Sequence, residues 1–269
     1  MAEKRPIITL LTDFGLSDYF VAAMKGVILN INRGVELVDI SHAVPPQDVL
    51  HAAFLLKSVY AYFPSDTIHV VVVDPSIGTQ RRAILASSEK GFFIAPDNGV
   101  LSGIYEEVGV GEIREITADH YFLKPRTGTF DGRDVFAPVA AWLSKGVSLS
   151  SFGDFISDYK KLDFPAPLPI QEGVLKCKIL SVDHFGNLIS NLGCEQFKEY
   201  LDASEKRRFA FRVGEHTVSK LLQAYAEGEP DEVFAILGSS GLVEFSVKGG
   251  SAAALTRVGI GSDVLFKVI

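Results

Sequence analysis

The first 162 residues alternate between two patterns of hydrophobic and polar positions. Short apolar runs predict buried strands, and stretches with an apolar residue every three or four positions predict helices. The strands are predicted at residues 7–11, 35–40 and 68–73, with a hairpin at 83–87 and 91–95. The helices are predicted at residues 19–31, 46–63, 99–108 and 134–144. Because strands alternate with helices, we predict an α/β layered domain with a mostly parallel sheet.

The pattern changes at residues 163–172, which contain Pro165, Pro167 and Pro169. Closely spaced prolines are typical of an extended linker. The segments beyond it are short, rich in β-forming residues and separated by Gly and Asp turns. They lie at residues 173–183, 207–213, 232–237, 242–247 and 264–269. We therefore predict an N-terminal α/β domain over 1–162, a linker over 163–172 and a small β-barrel domain over 173–269.

Composition narrows the class of protein. The chain has 269 residues, 47% of them hydrophobic, which is enough for two buried cores. A net charge of −7 without a basic stripe argues against a nucleic-acid partner. Neither the two cysteines nor the six histidines have metal-ligand spacing, so we expect no metal. Because no signal-peptide core or membrane-length apolar run occurs, we expect a cytoplasmic protein without membrane contact.

Acidic or amide side chains stand near glycine at the ends of several strand-like runs. The densest example is residues 129–134, where Asp131, Arg133 and Asp134 precede an apolar helix. Charges beside a buried helix are unfavourable unless they pair or bind something. Ligands of α/β sheets bind at the carboxyl ends of strands, so these turns suggest one composite ligand site. The other turns of this kind are residues 13–15, 74–79, 97–99 and 183–187.

Each of these segments also has a purely structural interpretation. Asp13 could accept hydrogen bonds from a ribose diol or only shape a turn. Asp74 and Arg81 could form a catalytic pair or a structural ion pair. Phe185 could stack on a flat ring and Asn187 could bind a sugar hydroxyl, although a bare turn explains them nearly as well. Turn formation alone would also explain residues 97–99. Residues 248–254 could present backbone N–H and C=O groups to the edge of a base or could form a turn that leads into a short helix.

Taken in order, the segments resemble the S-adenosyl-L-methionine hydroxide adenosyltransferases, the hydrolytic relatives of fluorinase and chlorinase. The resemblance covers nearly the whole chain and includes residues 12–15, 24–27, 72–79, 95–99, 129–138, 183–187 and 250–253. It implies an N-terminal α/β domain, a C-terminal β-barrel and a homotrimer. The active site would lie between the first domain of one subunit and the second domain of its neighbour.

The resemblance also implies a reaction and a set of site residues. Activated water would attack C5′ of S-adenosyl-L-methionine, giving adenosine and L-methionine without a cofactor. Asp13, assisted by Asn187, would hold the ribose diol, Phe185 would lie against the adenine, and Asp74 and Arg81 would lie near the water. The substrate-binding residues carried over are Asp13, Phe14, Asp183, Phe185, Asn187, Ser251, Ala252 and Ala253.

One position departs from the family pattern. The family has a histidine between the Phe and Gly of its Thr-Phe-x-Gly-Arg-Asp motif, and this chain has Asp131 there. An aspartate is ordinarily a weaker base than histidine near neutral pH and adds negative charge. Our hypothesis is that Asp131 replaces the histidine as water positioner or base, next to Asp74 and Arg81, with Arg133 as a further partner.

Two alternatives to hydrolysis remain open from sequence. A halide-using adenosyltransferase would need an anion site, which Asp74 and Asp131 disfavour because carboxylates repel halides. A non-catalytic module that binds adenosine or S-adenosyl-L-methionine is suggested by the missing histidine. Asp74 and Arg81 argue against that module, because a pure binder does not need a water-activating pair.

Overall fold

The computed structural model describes residues 5–109, 111–204 and 208–269. The chain forms two compact units, Met1–Phe164 and Pro165–Ile269. Two expectations fall partly on residues outside the described ranges. These are the lack of a leader at residues 1–6 and the start of the predicted strand 207–213.

The first unit contains a six-stranded sheet in the order β2-β1-β3-β5-β4-β6. Neighbours along β2, β1, β3 and β5 are parallel, whereas β4 is antiparallel to both β5 and β6. This confirms the mostly parallel sheet and places the predicted hairpin at its antiparallel edge. The strands are β1 (Ile7–Thr12), β2 (Glu36–Ser41), β3 (Ile68–Val72), β4 (Ala83–Ser88), β5 (Gly91–Pro96) and β6 (Glu112–Glu115).

Helices cover both faces of this sheet. Side chains of a strand alternate between the two faces, so neighbouring residues of β3 pack against different helices. Val70 and Val72 of β3 belong to one apolar cluster, with residues of α1 and α4. Val71 and Val73 belong to another, with residues of α2 and α3. The helices are α1 (Phe20–Ile31), α2 (Val49–Val59), α3 (Ser102–Glu107) and α4 (Ala137–Ser144).

Helices α2, α3 and α4 each begin three residues later than predicted, for local reasons. Residues 45 and 46 are prolines, and α2 starts only after Asp48, whose carboxylate accepts the His51 N–H. The segment before α3 is a tight turn in which Gly99 has a φ of 92°. The helix predicted from residue 134 is preceded by a π-helical turn over Gly132–Phe136, and α4 follows it. Such π turns are rare and occur often at functional sites.

The second unit is a curled sheet that forms a half-barrel, ordered β11-β10-β15-β8-β9-β14-β13-β12 with β7 paired to β8. Side chains of β8 alternate between buried and half-buried, as expected for a strand with one face on the core. The strands are β7 (Leu168–Gln171), β8 (Val174–Val182), β9 (Leu188–Gly193), β10 (Phe209–Val213), β11 (His216–Val218), β12 (Leu221–Leu222), β13 (Val233–Leu237), β14 (Leu242–Val247) and β15 (Asp263–Val268).

Several elements of the second unit differ from the sequence prediction. Strand β7 lies inside the predicted linker, where it pairs with β8 in antiparallel fashion. Helix α5 (Cys194–Asp202) follows β9 and was not predicted, because only Cys194 and Phe197 of this polar segment are buried. A short helix, α6 (Ala252–Thr256), follows β14 and agrees with one of the two interpretations of residues 248–254. Across the described residues, no helix combines the length and apolarity needed to cross a membrane.

Candidate functional site

The carboxyl ends of β1 and β3 meet at one edge of the first sheet. Thr12, the last residue of β1, is in register with Val72, the last residue of β3. Asp13 follows Thr12 directly, and Asp74 follows Val72 by two positions. The parallel pairing therefore brings both predicted site residues to the same edge, where ligands of α/β sheets bind.

A single guanidinium joins two buried carboxylates near this edge. The Nε of Arg81 donates to Asp74 Oδ2 at 2.6 Å, and its Nη2 donates to Asp131 Oδ2 at 2.6 Å. The side chains of Arg81, Asp74 and Asp131 are 5%, 4% and 2% exposed. The Arg81 guanidinium also lies 5.4 Å from the centre of the Phe136 ring. The structure thus brings together the three residues predicted to be catalytic, while their roles remain predictions.

Asp131 is held by tight packing at the start of the π turn. A side chain at Gly132 would put its Cβ 3.1 Å from Phe130, 3.2 Å from Met24 and 3.3 Å from Phe14, which leaves little room. Phe14, a predicted substrate-binding residue, packs edge-on against Phe130 with ring centres 5.7 Å apart. Phe14 therefore supports the turn that carries Asp131.

A second arginine completes the cluster, and it is not Arg133. Arg126 donates to both oxygens of Asp131, from Nε and Nη2, each at 3.0 Å. Arg133 instead pairs with the neighbouring Asp134, with Nε and Oδ1 2.6 Å apart. Burial raises the pKa of Asp134, but hydrogen bonds from Arg133 and Thr127 outweigh it and lower that pKa below its usual value. The expectation that Arg133 partners Asp131 is therefore wrong.

The Asp13 turn is fixed by hydrogen bonds on both sides. Asp13 Oδ2 accepts the backbone N–H of Gln47 at 2.8 Å. Thr12 Oγ1 accepts the Phe14 N–H at 3.2 Å and lies 2.8 Å from His42 Nδ1. The Gly15 N–H donates to the His42 carbonyl at 2.7 Å. Asp13 is only half-buried, so a rigid turn presents a carboxylate to solvent.

The segment at residues 97–99 has a structural role. Arg82 Nη2 donates to Asp97 Oδ2 at 2.7 Å, and the Lys160 N–H donates to Asp97 Oδ1 at 2.8 Å. Asn98 Nδ2 donates to the Val73 carbonyl at 2.8 Å. Asp97 thus clamps the chain around Lys160 to the sheet, which agrees with the interpretation of this segment as a turn.

The predicted ligand residues of the second unit form a compact turn of their own. Asp183 Oδ1 accepts the N–H groups of Phe185 and Asn187 at 2.9 and 2.8 Å, and Oδ2 accepts Asn187 Nδ2 at 2.8 Å. Gly186 has a φ of 83°, and its carbonyl accepts the Ala253 N–H at 2.9 Å. The structure therefore brings residues 183–187 and 251–253 together, with Asp183 engaged in holding the turn.

Helix α6 is anchored at its N-terminal end. Ser251 caps the helix, since its hydroxyl accepts the Ala254 N–H at 3.1 Å. Ala252 is fully buried in the second core. A turn that leads into a short helix was one of the two interpretations of residues 248–254, and the structure shows it.

A cavity of about 590 Å³ lies beside this turn. This volume lies within the range of small-molecule sites. Phe185 projects at its wall and is 74% exposed. Tyr225 supplies a second aromatic wall, and sequence reasoning missed it because one aromatic in a polar segment gives no periodic signal. The lining residues are Asp183, Phe185, Asn187, Tyr225, Val247, Gly249 and Gly250.

A buried acid stands behind Tyr225. Glu244 of β14 is 5% exposed, and the Tyr225 hydroxyl donates to its Oε2 at 3.2 Å. Burial raises the pKa of Glu244 above its usual value and outweighs the lowering by the Tyr225 hydrogen bond, while the nearby Asp183 charge adds a smaller increase. Glu244 thus supports the aromatic wall of the cavity through a hydrogen bond.

Glu244→Gln is expected to increase the free energy of unfolding at neutral pH. A carboxyl whose pKa is raised by folding stabilises the fold below its unfolded pKa, and this contribution is lost as pH rises through the folded pKa. As the pH rises above the pKa of Glu244 in the unfolded chain, near 4.5, the wild-type protein should therefore lose stability, whereas Glu244→Gln should not. Urea unfolding of both proteins at several pH values measures the difference. Glu232→Gln is the control, because that side chain is 42% exposed and pairs with Lys220 at the surface. Equal pH dependence in Glu244→Gln and wild type would contradict the expectation.

The described side chains do not form the kind of cluster that binds metal ions. Within residues 5–109, 111–204 and 208–269, no group of three or more His, Cys, Asp or Glu side chains is placed to hold a metal ion. Cys177 and Cys194 are both free and buried.

Relatives with named activities align over most of the chain, and the hydrolases align over nearly all of it. A Salinispora arenicola protein named (R)-S-adenosyl-L-methionine hydrolase is 36% identical over 262 residues, covering 96% of this chain and 97% of the relative. A Methanocaldococcus jannaschii protein of the same name is 32% identical, covering 94% and 92%. A fluorinase from an Actinoplanes species is 32% identical over 71% of this chain and 73% of its own length.

Structural and family comparisons agree with these relatives. The crystal structure of an uncharacterized conserved protein from Thermotoga maritima superimposes with a TM-score of 0.90 at 35% identity, covering 97% of this chain and all of that one. The model of the SAM hydroxide adenosyltransferase N-terminal domain matches residues 8–153, and that of the C-terminal domain matches residues 177–265. This chain therefore belongs to the SAM hydroxide adenosyltransferase family.

Proposed function

We propose that this chain hydrolyses S-adenosyl-L-methionine to adenosine and L-methionine. The observation that carries the proposal is the buried cluster in which Arg81 joins Asp74 to Asp131. It lies at the sheet edge where α/β proteins bind ligands. Relatives of comparable length at 32–36% identity are named for this hydrolysis.

The proposed reaction is a displacement at carbon. A lone pair of water forms a C–O bond to C5′ while the C5′–S bond breaks. The electron pair of the broken C5′–S bond stays on the sulfur of methionine. The attacking water then releases one proton to the surrounding water. Because the sulfonium is already a good leaving group, neither a general acid nor a cofactor is needed. The protein mainly has to align water, carbon and sulfur, which is a task of orientation.

The geometry favours Asp131 as the residue that orients the water. Its Oδ2 accepts two guanidinium N–H groups, from Arg81 and Arg126, and its Oδ1 accepts one from Arg126. A carboxylate offers about four acceptor positions, so Oδ1 keeps capacity for a further donor. A water that donates to this oxygen would have a lone pair free for C5′. Asp131 therefore acts as water positioner in this proposal, as the sequence hypothesis expects.

The remaining residues bind the substrate in this proposal. Asp13 holds the ribose diol with a carboxylate already fixed by Gln47. The cavity beside Phe185, Asn187 and Tyr225 receives the adenosine portion, since its two aromatic walls suit a flat base. The negative charge of the carboxylates also suits a sulfonium cation and opposes halide, so a halide nucleophile is not favoured.

We further propose that the chain works as a homotrimer in the cytoplasm. In that assembly, the first unit of one subunit and the second unit of its neighbour would complete each active site, as the resemblance implies. Light scattering should then give three times the mass of one chain, and a monomer that is fully active would overturn this part. The two free cysteines suit a reducing compartment.

The test is product analysis in halide-free buffer. Purified protein is incubated separately with the (R) and (S) sulfonium epimers, because the relatives' names specify the (R) form. Equimolar adenosine and methionine are expected from at least one epimer, unchanged by added chloride or fluoride. Calorimetric binding of substrate without product release would instead support a non-catalytic binding module.

The same assay tests the role of Asp131. Asp131→Ala is expected to lower kcat strongly, because the water loses its acceptor and Arg81 loses a partner. Asp131→His would restore the family's residue and is expected to stay active. An unchanged kcat in Asp131→Ala would exclude Asp131 as water positioner.

A further inference from the structure

Arg126 differs from the other members of the cluster in its exposure. Its side chain is 49% exposed, whereas the Asp131 that it contacts is 2% exposed. Its guanidinium lies 5.9 Å from the centre of the Phe122 ring, which supports it on one side. Arg126 thus reaches from the surface to a carboxylate that is otherwise enclosed.

The charges of the cluster explain why this second arginine is needed. Asp74 and Asp131 contribute two negative charges, and Arg81 offers one guanidinium to both. Without Arg126, two buried carboxylates would compete for one cation, and a buried charge that lacks a partner is strongly unfavourable. With Arg126 the charges balance, and Asp131 gains hydrogen bonds to both of its oxygens.

We propose that Arg126 is a positioning residue for the hydrolysis. It supplies the second positive charge that allows a buried, ionised aspartate to act at position 131. The proposal rests on the proposed function. Arg126 does not touch the substrate in this scheme, and it acts by fixing the orientation of the Asp131 carboxylate. A neutral histidine at position 131 would leave one carboxylate for Arg81 and would not need a second cation. Dependence on Arg126 is therefore expected only while residue 131 is acidic.

The test is a double-mutant cycle that joins Arg126→Met with Asp131→His. In the wild-type background, Arg126→Met should lower kcat about 10- to 100-fold, the loss typical of a misplaced reacting group. KM should change much less, because substrate contacts remain. In the Asp131→His background, Arg126→Met should leave kcat nearly unchanged. Equal losses in both backgrounds, or no loss in either, would overturn the proposal.

Two further variants separate positioning from folding. Arg126→Lys keeps the charge without the forked geometry and should recover part of the kcat lost in Arg126→Met. Lys124→Met is the matched control, because Lys124 lies in the same loop but pairs with exposed Asp119 at 3.1 Å. It should keep wild-type kcat. If Asp131→His proves inactive, equal kcat losses for Arg126→Lys and Arg126→Met would still overturn the proposal.

The outcomes also distinguish this inference from the proposed function. Absence of adenosine and methionine from wild-type protein would refute the hydrolase itself. Wild-type activity together with an unaffected Arg126→Met variant would refute only the role of Arg126.

Discussion

Arg81→Met is expected to abolish measurable hydrolysis and to destabilise the first unit. The substitution leaves Asp74 without its guanidinium partner and Asp131 with Arg126 alone. Breaking a buried ion pair by removing one partner typically costs about 3–5 kcal/mol. Loss of a preorganised charged donor next to a reacting centre typically lowers kcat about 10²- to 10³-fold, and the displaced carboxylates should add to this loss.

Both effects can be measured on the same protein. Adenosine release gives kcat, and the fluorescence of Trp142, the single tryptophan of the chain, reports unfolding of the first unit in urea. Arg82→Met is the matched control, because Arg82 also pairs with a buried carboxylate, that of Asp97, at 2.7 Å. It should destabilise the unit while leaving kcat close to wild type. If both variants lose kcat equally, the effect of Arg81 is one of stability and not of chemistry.

Gly186→Ala is the second substitution with a large expected effect. Gly186 has a φ of 83°, and an added Cβ would overlap the Ser251 side chain, with Ser251 Cβ only 2.6 Å away. Backbone strain and steric overlap should together destabilise the second unit by about 2–4 kcal/mol. The turn that carries Phe185 and Asn187 would shift, so adenosine binding should weaken by at least about tenfold.

Calorimetry with adenosine measures this loss directly. Gly241→Ala is the matched control, since Gly241 has a φ of 79° but no atom within 4 Å of an added Cβ. That variant carries the backbone strain alone, about 1 kcal/mol, and should bind adenosine normally. Normal adenosine binding by Gly186→Ala would show that the turn does not shape the ligand site.

The sequence was sufficient for the fold class and for the family. Continuous β-branched runs and helical spacing are strong signals when a sheet is covered on both faces, and β3 is the clearest example. Polar turns drew attention to Asp74, Arg81 and Asp131, and the family resemblance grouped them as catalytic candidates. The structure joins both aspartates through Arg81. Their chemical roles stay predictions until the variants are measured.

Other features were beyond the reach of local patterns. Arg126 lies in a loop without periodicity, and only its distance to Asp131 distinguishes it from Arg133. The sequence hypothesis named Arg133 as a further partner, but the π turn sets that side chain against Asp134. Tyr225 gains its role from a hydrogen bond to Glu244, 19 residues further along the chain, which local composition does not encode. Strand β7 pairs with the adjacent β8, but its closely spaced prolines are more typical of a linker than of a strand.

The adjacent arginines Arg81 and Arg82 have a consequence for how this protein can vary. One serves the Asp74 cluster and the other the Asp97 clamp, so a single peptide bond separates two different tasks. Deleting one residue between Asp74 and Arg81 would move Arg82 into the position of Arg81, and inserting one would move Arg81 into the position of Arg82. In either case one of the two carboxylates would lose its arginine. Thr79 and Gln80 in the same loop are exposed. The loop should therefore accept many substitutions at its exposed positions but not changes in its length. Among related proteins, the length of this loop should indicate an active enzyme better than its composition does.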